Sequence, residues 1–189
     1  MESLKRSIAR ASARRPGLRG ATLVFGEGPV PSEVMIVGEA PGRMETRELR
    51  PFVGRAGRFF VTVLEEVFGK SREAFYITNV VKFWPTTPSA RLRTRPPTRE
   101  ERDFFIPHLE REVEIVSPRV IVAVGRTAFS ALAPEGDFTP GSWAATARAV
   151  PVMPVYHPAY ILRKGKTLGE NTRLLKAALR KAKRRASGH

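Results

Sequence analysis

The stretch "VMIVGEAPG", residues 34–42, decides the fold class of this chain. It begins as a short apolar run that ends at a glycine, which is typical of a buried strand, and "EAPG" then predicts a turn. A helix is predicted in the segment 57–70, where one face carries Phe60, Val63, Leu64 and Val67. A strand, a loop and a helix in this order favour a parallel sheet that is covered by helices.

The rest of the chain repeats this alternation. Further strands are predicted at 75–81, 119–125 and 150–158. The prolines of the last run indicate an edge strand or a frayed end. Further helices are predicted at 98–116, 126–133 and 169–185. Thr98 and Glu101 form a capping box at the start of the first of these helices, and Pro107 predicts a kink or a break in it. We therefore expect an α/β fold with a mainly parallel sheet that is covered on both faces.

The composition restricts the classes of partner and of chemistry. A net charge of +15 favours an anionic partner, and nucleic acid more than a membrane surface. The apolar runs are shorter than the roughly 20 residues that cross a bilayer, so we expect a soluble protein. The absence of cysteine excludes disulfides, thiol nucleophiles and thiolate-ligated metal sites. Solvated charge or phosphate contacts are expected from the basic stretches at 89–97, 162–166 and 181–189.

A single domain is expected over residues 21–185 of the 189-residue chain. Residues 1–20 are expected to form a basic arm or helix, and residues 186–189 a short tail. The first residues are rich in Arg, Ser and Ala, as a transit peptide would be, but they lack the apolar centre of a secretory signal. A basic, loosely ordered arm is therefore preferred to a targeting segment.

Four loops follow the predicted strands and carry most of the polar candidates. They are "GEAPG" (38–42), "TNVVKFW" (78–84), "GRTA" (125–128) and "YHPAY" (156–160). Ligands of parallel α/β sheets bind just beyond the carboxyl ends of the strands. Side chains of these loops are therefore expected to meet at one edge of the sheet.

Each candidate side chain has a structural and a functional interpretation. Phe52, in a Pro-Gly loop, can pack on the next helix or form a platform on which a base stacks. Asn79, in an apolar strand, must pair with neighbouring backbone or with the edge of a ligand such as a pyrimidine. His157 is either structural or part of the same site. The nearby carboxylates Glu39 and Glu45, together with the ring and the amide, favour a site.

Four motifs in register resemble the family-four uracil-DNA glycosylases of bacteria and archaea: "GEAPG", "RPFVGRAG" (50–57), "YITNVVK" (76–82) and "HPAYILR" (157–163). The resemblance extends from about Val24 to about Arg163. It implies a three-layer α/β/α sandwich around a four-stranded, mainly parallel sheet. It also implies a monomeric, prokaryotic enzyme of the cytoplasm and nucleoid, which flips uracil out of single- or double-stranded DNA and removes it, leaving an abasic site.

The resemblance also implies which residues bind the base. Phe52 would stack on the uracil, and Asn79 would hydrogen-bond its Watson–Crick edge. Gly38 and Ala40 would line the same pocket. The pocket would thus distinguish uracil from cytosine by their different donor and acceptor patterns.

The chemistry would be carried by one imidazole and two carboxylates. His157 would lie beside uracil O2 and stabilise the departing base, either as a neutral donor or as a cation. Glu39 and Glu45 match acidic positions that stabilise the sugar cation or position the attacking water, and Glu45 is preferred for the water. Thr46 stands where an acidic residue is common in the family, but with both glutamates present we expect activity to persist.

DNA contacts are implied around the last motif. A wedge that enters the minor groove and fills the space left by the flipped base would be formed by Tyr160, Ile161 and Leu162. Further contacts to DNA are expected from Arg163, Lys164, Arg55 and Lys82.

The chain departs from the family at the metal site. The usual member holds a four-iron, four-sulfur cluster with four cysteines, and this chain has none, so we expect no metal and no cofactor. Two of the cysteine positions are Phe83 and Phe105, and the other pair would lie near residues 11–15. We predict that Phe83 and Phe105 pack together as a hydrophobic plug, with ring centroids within about 7 Å.

Two alternatives to uracil excision stay open. A relative with a shifted base choice would act on hypoxanthine, xanthine or mismatched thymine. A non-catalytic relative would only bind uracil-containing or damaged DNA. No lysine is specifically placed to form a Schiff base, which favours a monofunctional glycosylase among the enzymatic readings.

Overall fold

A five-stranded sheet lies at the centre of the computed structural model, which describes residues 1–87, 92–163 and 168–188. Its strands are β1 (Val34–Gly38), β2 (Tyr76–Asn79), β3 (Val120–Val124), β4 (Ala144–Ala145) and β5 (Pro151–Val155). Their order across the sheet is β2-β1-β3-β5-β4. Neighbouring strands are parallel, except that β4 pairs antiparallel with β5. The four predicted strands are confirmed, and the two-residue β4 is added to them.

Helices cover both faces of this sheet. They are α1 (Glu2–Arg14), α2 (Arg43–Glu48), α3 (Arg55–Phe68), α4 (Arg99–Val116), α5 (Arg126–Leu132), α6 (Pro158–Arg163) and α7 (Leu168–Ala186). Helices α3, α6 and α7 share one core, and α1, α4 and α5 share the other. Successive strand residues face opposite layers, since Ile36 belongs to the first core and Met35 to the second. The predicted three-layer α/β/α sandwich is therefore confirmed.

Helix α4 begins at the predicted capping box. The Glu101 N–H donates to Thr98 Oγ1 at 3.2 Å, and the Thr98 N–H donates to the Glu101 carboxylate at 2.7 Å. Pro107 lies inside α4, and the helix continues beyond it, so of the expected kink or break the break is absent. The buried side chains Leu109 and Val113 follow the proline, and their packing on the sheet stabilises the remaining turns.

Of the two forms expected for the N-terminal segment, a basic arm or a helix, the structure has the helix α1, which packs against α4. Ile8 of α1 and Leu18 beyond it are 1% and 3% exposed and belong to the same core as α4. The division of the chain at residues 20 and 185 stays a prediction. Among the residues that the structure describes, no helix is both long and apolar enough to cross a membrane.

The predicted contact between the two phenylalanines is confirmed. The ring centroids of Phe83 and Phe105 lie 6.1 Å apart. Phe104 meets Phe105 edge-on at 4.9 Å, and the guanidinium carbon of Arg15 lies 4.9 Å from the centroid of the Phe104 ring. The end of α1, the loop after β2 and α4 therefore meet at the place where the resemblance implies a cluster.

Replacing Phe105 with alanine is expected to lower the free energy of unfolding by about 3–5 kcal/mol, because its ring is fully buried. Leu92→Ala is the control, since Leu92 is 60% exposed and its loss should change stability by less than about 0.5 kcal/mol. Urea denaturation followed by circular dichroism measures both variants. Equal losses of stability in the two variants would contradict a tightly packed plug.

Candidate active site

A cavity of about 340 Å³ opens beyond the carboxyl ends of β1 and β2. Its walls come from three of the four loops expected to meet there, from the segment before α3, and from Pro85, Thr94 and Arg95. The cavity lining includes these predicted site residues: Gly38, Glu39, Ala40, Glu45, Phe52, Arg55, Asn79 and His157. The structure thus brings together the predicted base pocket and all three predicted catalytic residues.

Gly38 permits this convergence because it has no side chain. It ends β1, and in the parallel register it lies beside Asn79, the last residue of β2. A Cβ atom built on Gly38 would lie 2.3 Å from Asn79 Oδ1 and 2.7 Å from Cζ of Phe52. Both separations are shorter than any real van der Waals contact. Any other residue at this position would push the amide or the ring out of place.

Phe52 is held in a conformation that bulky residues rarely adopt. Its φ angle is 57°, in the left-handed region. The Arg72 guanidinium donates hydrogen bonds to the main-chain oxygens of Pro51 and Phe52, the latter at 3.3 Å, and also to Glu27 at 2.6 Å. The Phe52 ring lies 5.6 Å from the Phe60 ring and also lines the cavity. Both interpretations of Phe52, packing on the next helix and facing a ligand, therefore fit its position.

Asn79 presents its carboxamide to the cavity. The residue is 3% exposed, and its main-chain oxygen accepts a hydrogen bond from Lys82 Nζ at 2.6 Å. Within residues 1–87, 92–163 and 168–188 the structure gives the carboxamide itself no hydrogen-bond partner. The backbone bond considered from the sequence is not formed there, so the donor and the acceptor of the side chain face the cavity.

The two carboxylates of the cavity are each oriented by a hydrogen-bond donor from another part of the chain. Glu45 accepts the Gly54 N–H at 2.6 Å and the Gly42 N–H at 3.1 Å. Glu39 accepts a hydrogen bond from the Thr127 hydroxyl, at the start of α5. Thr127 brings the fourth loop, "GRTA", into the site. The strand-end rule selected this loop, but no residue in it was singled out from the sequence.

His157 is held as a neutral imidazole. Its Nδ1 accepts the Ala159 N–H at 3.2 Å, so Nδ1 carries no proton and the proton lies on Nε2. Burial lowers the pKa of His157 below its ordinary value of 6.5; the Glu39 carboxylate opposes this effect, and Arg163 adds to it. The sequence left the charge of this residue open, and the structure favours the neutral donor near pH 7.

The predicted wedge is partly wrong. Its residues belong to the short helix α6, and Ile161 is fully buried in the core with α3 and α7. A side chain that packs inside the core cannot enter DNA. Tyr160 is 38% exposed, Leu162 is half-buried and Arg163 is exposed, so these three remain available. Lys164 lies outside the described residues.

The predicted contact of Lys82 with DNA is also wrong. Its side chain is 0% exposed, and its Nζ lies 2.6 Å from Glu112 Oε2. An ammonium that is paired inside the protein cannot contact a phosphate. Arg55, at the start of α3, is by contrast exposed and lines the cavity. Arg95 also lines the cavity, but its guanidinium is paired with Glu101 at 2.6 Å.

Comparison with known proteins agrees with the fold. The model of the uracil DNA glycosylase superfamily matches residues 25–183. The type-4 uracil-DNA glycosylase of Thermotoga maritima is 35% identical over 86% of this chain and 83% of the relative, and that of Pyrobaculum aerophilum is 38% identical over 78% and 76%. That of Sulfurisphaera tokodaii is 35% identical over 74% of this chain and 65% of the relative. The chain belongs to the uracil DNA glycosylase superfamily and, within it, to the type-4 uracil-DNA glycosylases.

The residues of this chain do not fit the iron-sulfur cluster that the resemblance implies. The chain has no cysteine to supply thiolates, and two of the expected ligand positions hold Phe83 and Phe105 in mutual contact. In the described parts of the chain, no three acidic or histidine side chains gather as metal ligands. These positions supply apolar packing in place of ligands.

We expect His157 to titrate below pH 6.5 and Glu39→Gln to lower its pKa further, because the Glu39 carboxylate stabilises the imidazolium. The folded pKa lies below the unfolded one, so the stability that neutral His157 contributes is lost as the pH falls through the folded pKa. An NMR titration of the imidazole nitrogens, assigned with His157→Gln, measures both values. An ordinary pKa of His157 would contradict its burial, and a rise of this pKa in Glu39→Gln would contradict the stabilising effect of the Glu39 carboxylate.

Proposed function

We propose that this chain hydrolyses the N-glycosidic bond of uracil in DNA and leaves an abasic site. One observation carries the proposal: a single cavity is lined by an aromatic ring, a carboxamide, an imidazole and two carboxylates, which are Phe52, Asn79, His157, Glu39 and Glu45. The type-4 relatives are named uracil-DNA glycosylases, which supports the same activity.

Base recognition combines stacking with hydrogen bonding. The Phe52 ring stacks on the base, which contributes about 1–3 kcal/mol in binders of single strands. The Asn79 carboxamide donates to uracil O4 and accepts from N3–H. Cytosine has an amino donor and a ring acceptor at the same positions, so an amide held in one orientation selects uracil. Gly38 and Ala40 form the wall beside the amide.

The chemistry depends on stabilising charge of both signs. As the bond to uracil N1 breaks, negative charge develops on the base and positive charge on the sugar. His157 Nε2–H donates to uracil O2, and Glu39 stabilises the cationic sugar. Glu45 orients the water whose hydroxyl bonds to C1′, and the released proton neutralises the uracil anion. No protein group is covalently attached to the sugar in this scheme.

DNA binding rests on charge and on the exposed part of α6. The net charge of +15 favours a polyanion, and Arg55 and Arg163 are exposed to contact phosphates. Tyr160 and Leu162 fill the space left by the flipped base. We further propose that the protein acts as a monomer on single- and double-stranded DNA of a prokaryotic nucleoid, without a bound metal or cofactor.

The proposal predicts that the protein excises uracil from a labelled oligonucleotide, which alkali then cleaves at the abasic site. His157→Ala and Asn79→Ala should each lower the single-turnover rate by about 100-fold or more, because each removes a hydrogen bond to the reacting base. The dissociation constant for uracil-free DNA should change little. Denaturing gels give the rates, and fluorescence anisotropy gives the affinities.

Three outcomes of this assay distinguish uracil excision from the two alternative functions. No cleavage of single-stranded uracil DNA or of a U:G duplex would contradict the proposed activity. Selective retention of uracil-containing DNA without cleavage would indicate a non-catalytic binder. Faster cleavage of hypoxanthine, xanthine or mismatched thymine would indicate a shifted base choice.

Leu162→Ala is expected to slow excision from a duplex more than excision from a single strand, because only the duplex has a base stack that a wedge must keep open. Leu174→Ala is the matched control, since Leu174 is a 52% exposed leucine on α7. The ratio of the duplex rate to the single-strand rate is measured for both variants. An unchanged ratio in Leu162→Ala would remove Leu162 from the wedge.

A further inference from the structure

A buried polar network lies behind the cavity wall, and the proposed chemistry does not use it. It consists of side chains from β2, from the turn after β2 and from α4, each at most 3% exposed: Tyr76, Thr78, Lys82 and Glu112. Burying charged groups is unfavourable unless each of them is fully hydrogen-bonded.

Lys82 uses all three of its N–H donors. Its Nζ lies 2.6 Å from Glu112 Oε2, 2.7 Å from Thr78 Oγ1 and 2.6 Å from the main-chain oxygen of Asn79. Glu112 Oε1 accepts the Tyr76 hydroxyl at 2.7 Å. Burial and the Glu112 carboxylate raise the pKa of Tyr76, so this hydroxyl remains a donor. Each of these polar groups has a hydrogen-bond partner within the protein, and the bond from Lys82 to Asn79 links the network to the cavity wall.

The bond from Lys82 to Asn79 falls where the strand pairing ends. Asn79 is the last residue of β2 and pairs with Gly38, the last residue of β1. Beyond it the chain bends, and the N–H groups of Val80 and Val81 donate to the main-chain oxygens of Gly38 and Glu39 at 2.8 and 3.0 Å. The Asn79 carbonyl therefore needs a donor from outside the strand ladder, and the buried ammonium supplies it. This bond fixes the Asn79 peptide plane, and with it the direction in which the side chain leaves the main chain.

We propose that Lys82 is a positioning residue for base recognition. Its ammonium, oriented by Glu112 and Thr78, holds the Asn79 main chain so that the carboxamide stays in place to meet a pyrimidine edge. The inference rests on the proposed function and deepens it, because it explains how one amide is kept in register with a base. Lys82 itself touches no substrate in this arrangement.

The informative variant removes both charges at once. Lys82→Met alone leaves the Glu112 carboxylate buried without a counter-charge and is expected to be unstable. Lys82→Met/Glu112→Gln removes the ion pair and keeps an amide for Tyr76 and Thr78, so it is expected to be more stable than Lys82→Met, although the Asn79 oxygen still loses its donor. The matched control is Lys176→Met/Glu66→Gln, a surface pair between α7 and α3.

The double variant is expected to excise uracil roughly 10- to 100-fold more slowly in single turnover, because the amide is misplaced. The control pair should react at the wild-type rate, and all variants should bind uracil-free DNA equally. In an Asn79→Ala background the Lys82→Met/Glu112→Gln change should have little further effect, because it acts through Asn79. A wild-type rate in the double variant, or an equal loss in both backgrounds, would overturn the proposal.

A second readout does not depend on activity. The side-chain amide signals of Asn79, assigned by their loss in Asn79→Ala, are recorded by ¹H–¹⁵N NMR without nucleic acid. They should shift and broaden in Lys82→Met/Glu112→Gln and stay unchanged in the control pair. If the wild-type protein excises no uracil, the proposed function fails while this measurement still tests the positioning. Unchanged Asn79 signals in the folded double variant would overturn it.

Discussion

The cavity depends on the residue at position 38 being glycine, which has no side chain. The parallel register of β1 and β2 places Asn79 beside this glycine, and the Phe52 ring reaches the same point from a loop. The strand ladder can fix only the first of these two neighbours. The loop needs its own support, and Arg72 supplies it through the main-chain oxygens of Pro51 and Phe52. The strand pairing and the Arg72 hydrogen bonds thus place two side chains, those of Asn79 and Phe52, against one glycine. A methyl group on Gly38 would displace both side chains.

The electrostatics of the cavity follow from how its groups are held. Glu45 and Glu39 are pinned by donors from separate loops, so neither needs a nearby cation to fix its direction. His157 is kept neutral by burial and by the Ala159 N–H on its Nδ1. A neutral imidazole in a cavity that also holds two carboxylates donates a hydrogen bond without the desolvation cost of a buried cation. This arrangement suits a reaction in which charges of both signs appear together.

Sequence patterns predicted the parts of the fold that periodicity controls. The parallel strands, the α4 capping box and the loops at the carboxyl ends all follow from local signals, and these loops carry most of the cavity. The direction of a side chain beyond a strand end does not follow from such signals. Lys82 lies in the bend after β2, and its side chain enters the core, where its Nζ donates to the main-chain oxygen of Asn79. Ile161 is buried because its segment is a helix, in which neighbouring residues face different sides.

The plug and the buried ion pair join the same two segments. Phe83 follows Lys82 in the turn after β2, and Phe105 lies seven residues before Glu112 on α4, a spacing that puts both on one helical face. The aromatic contact and the ion pair therefore fix α4 against the end of β2 at two points. A cluster that bridged the positions of Phe83 and Phe105 would constrain the same pair of segments. The contact between the two phenylalanines holds these segments together without a thiolate. It thereby also holds the Lys82 and Glu112 pair that supports the Asn79 main chain.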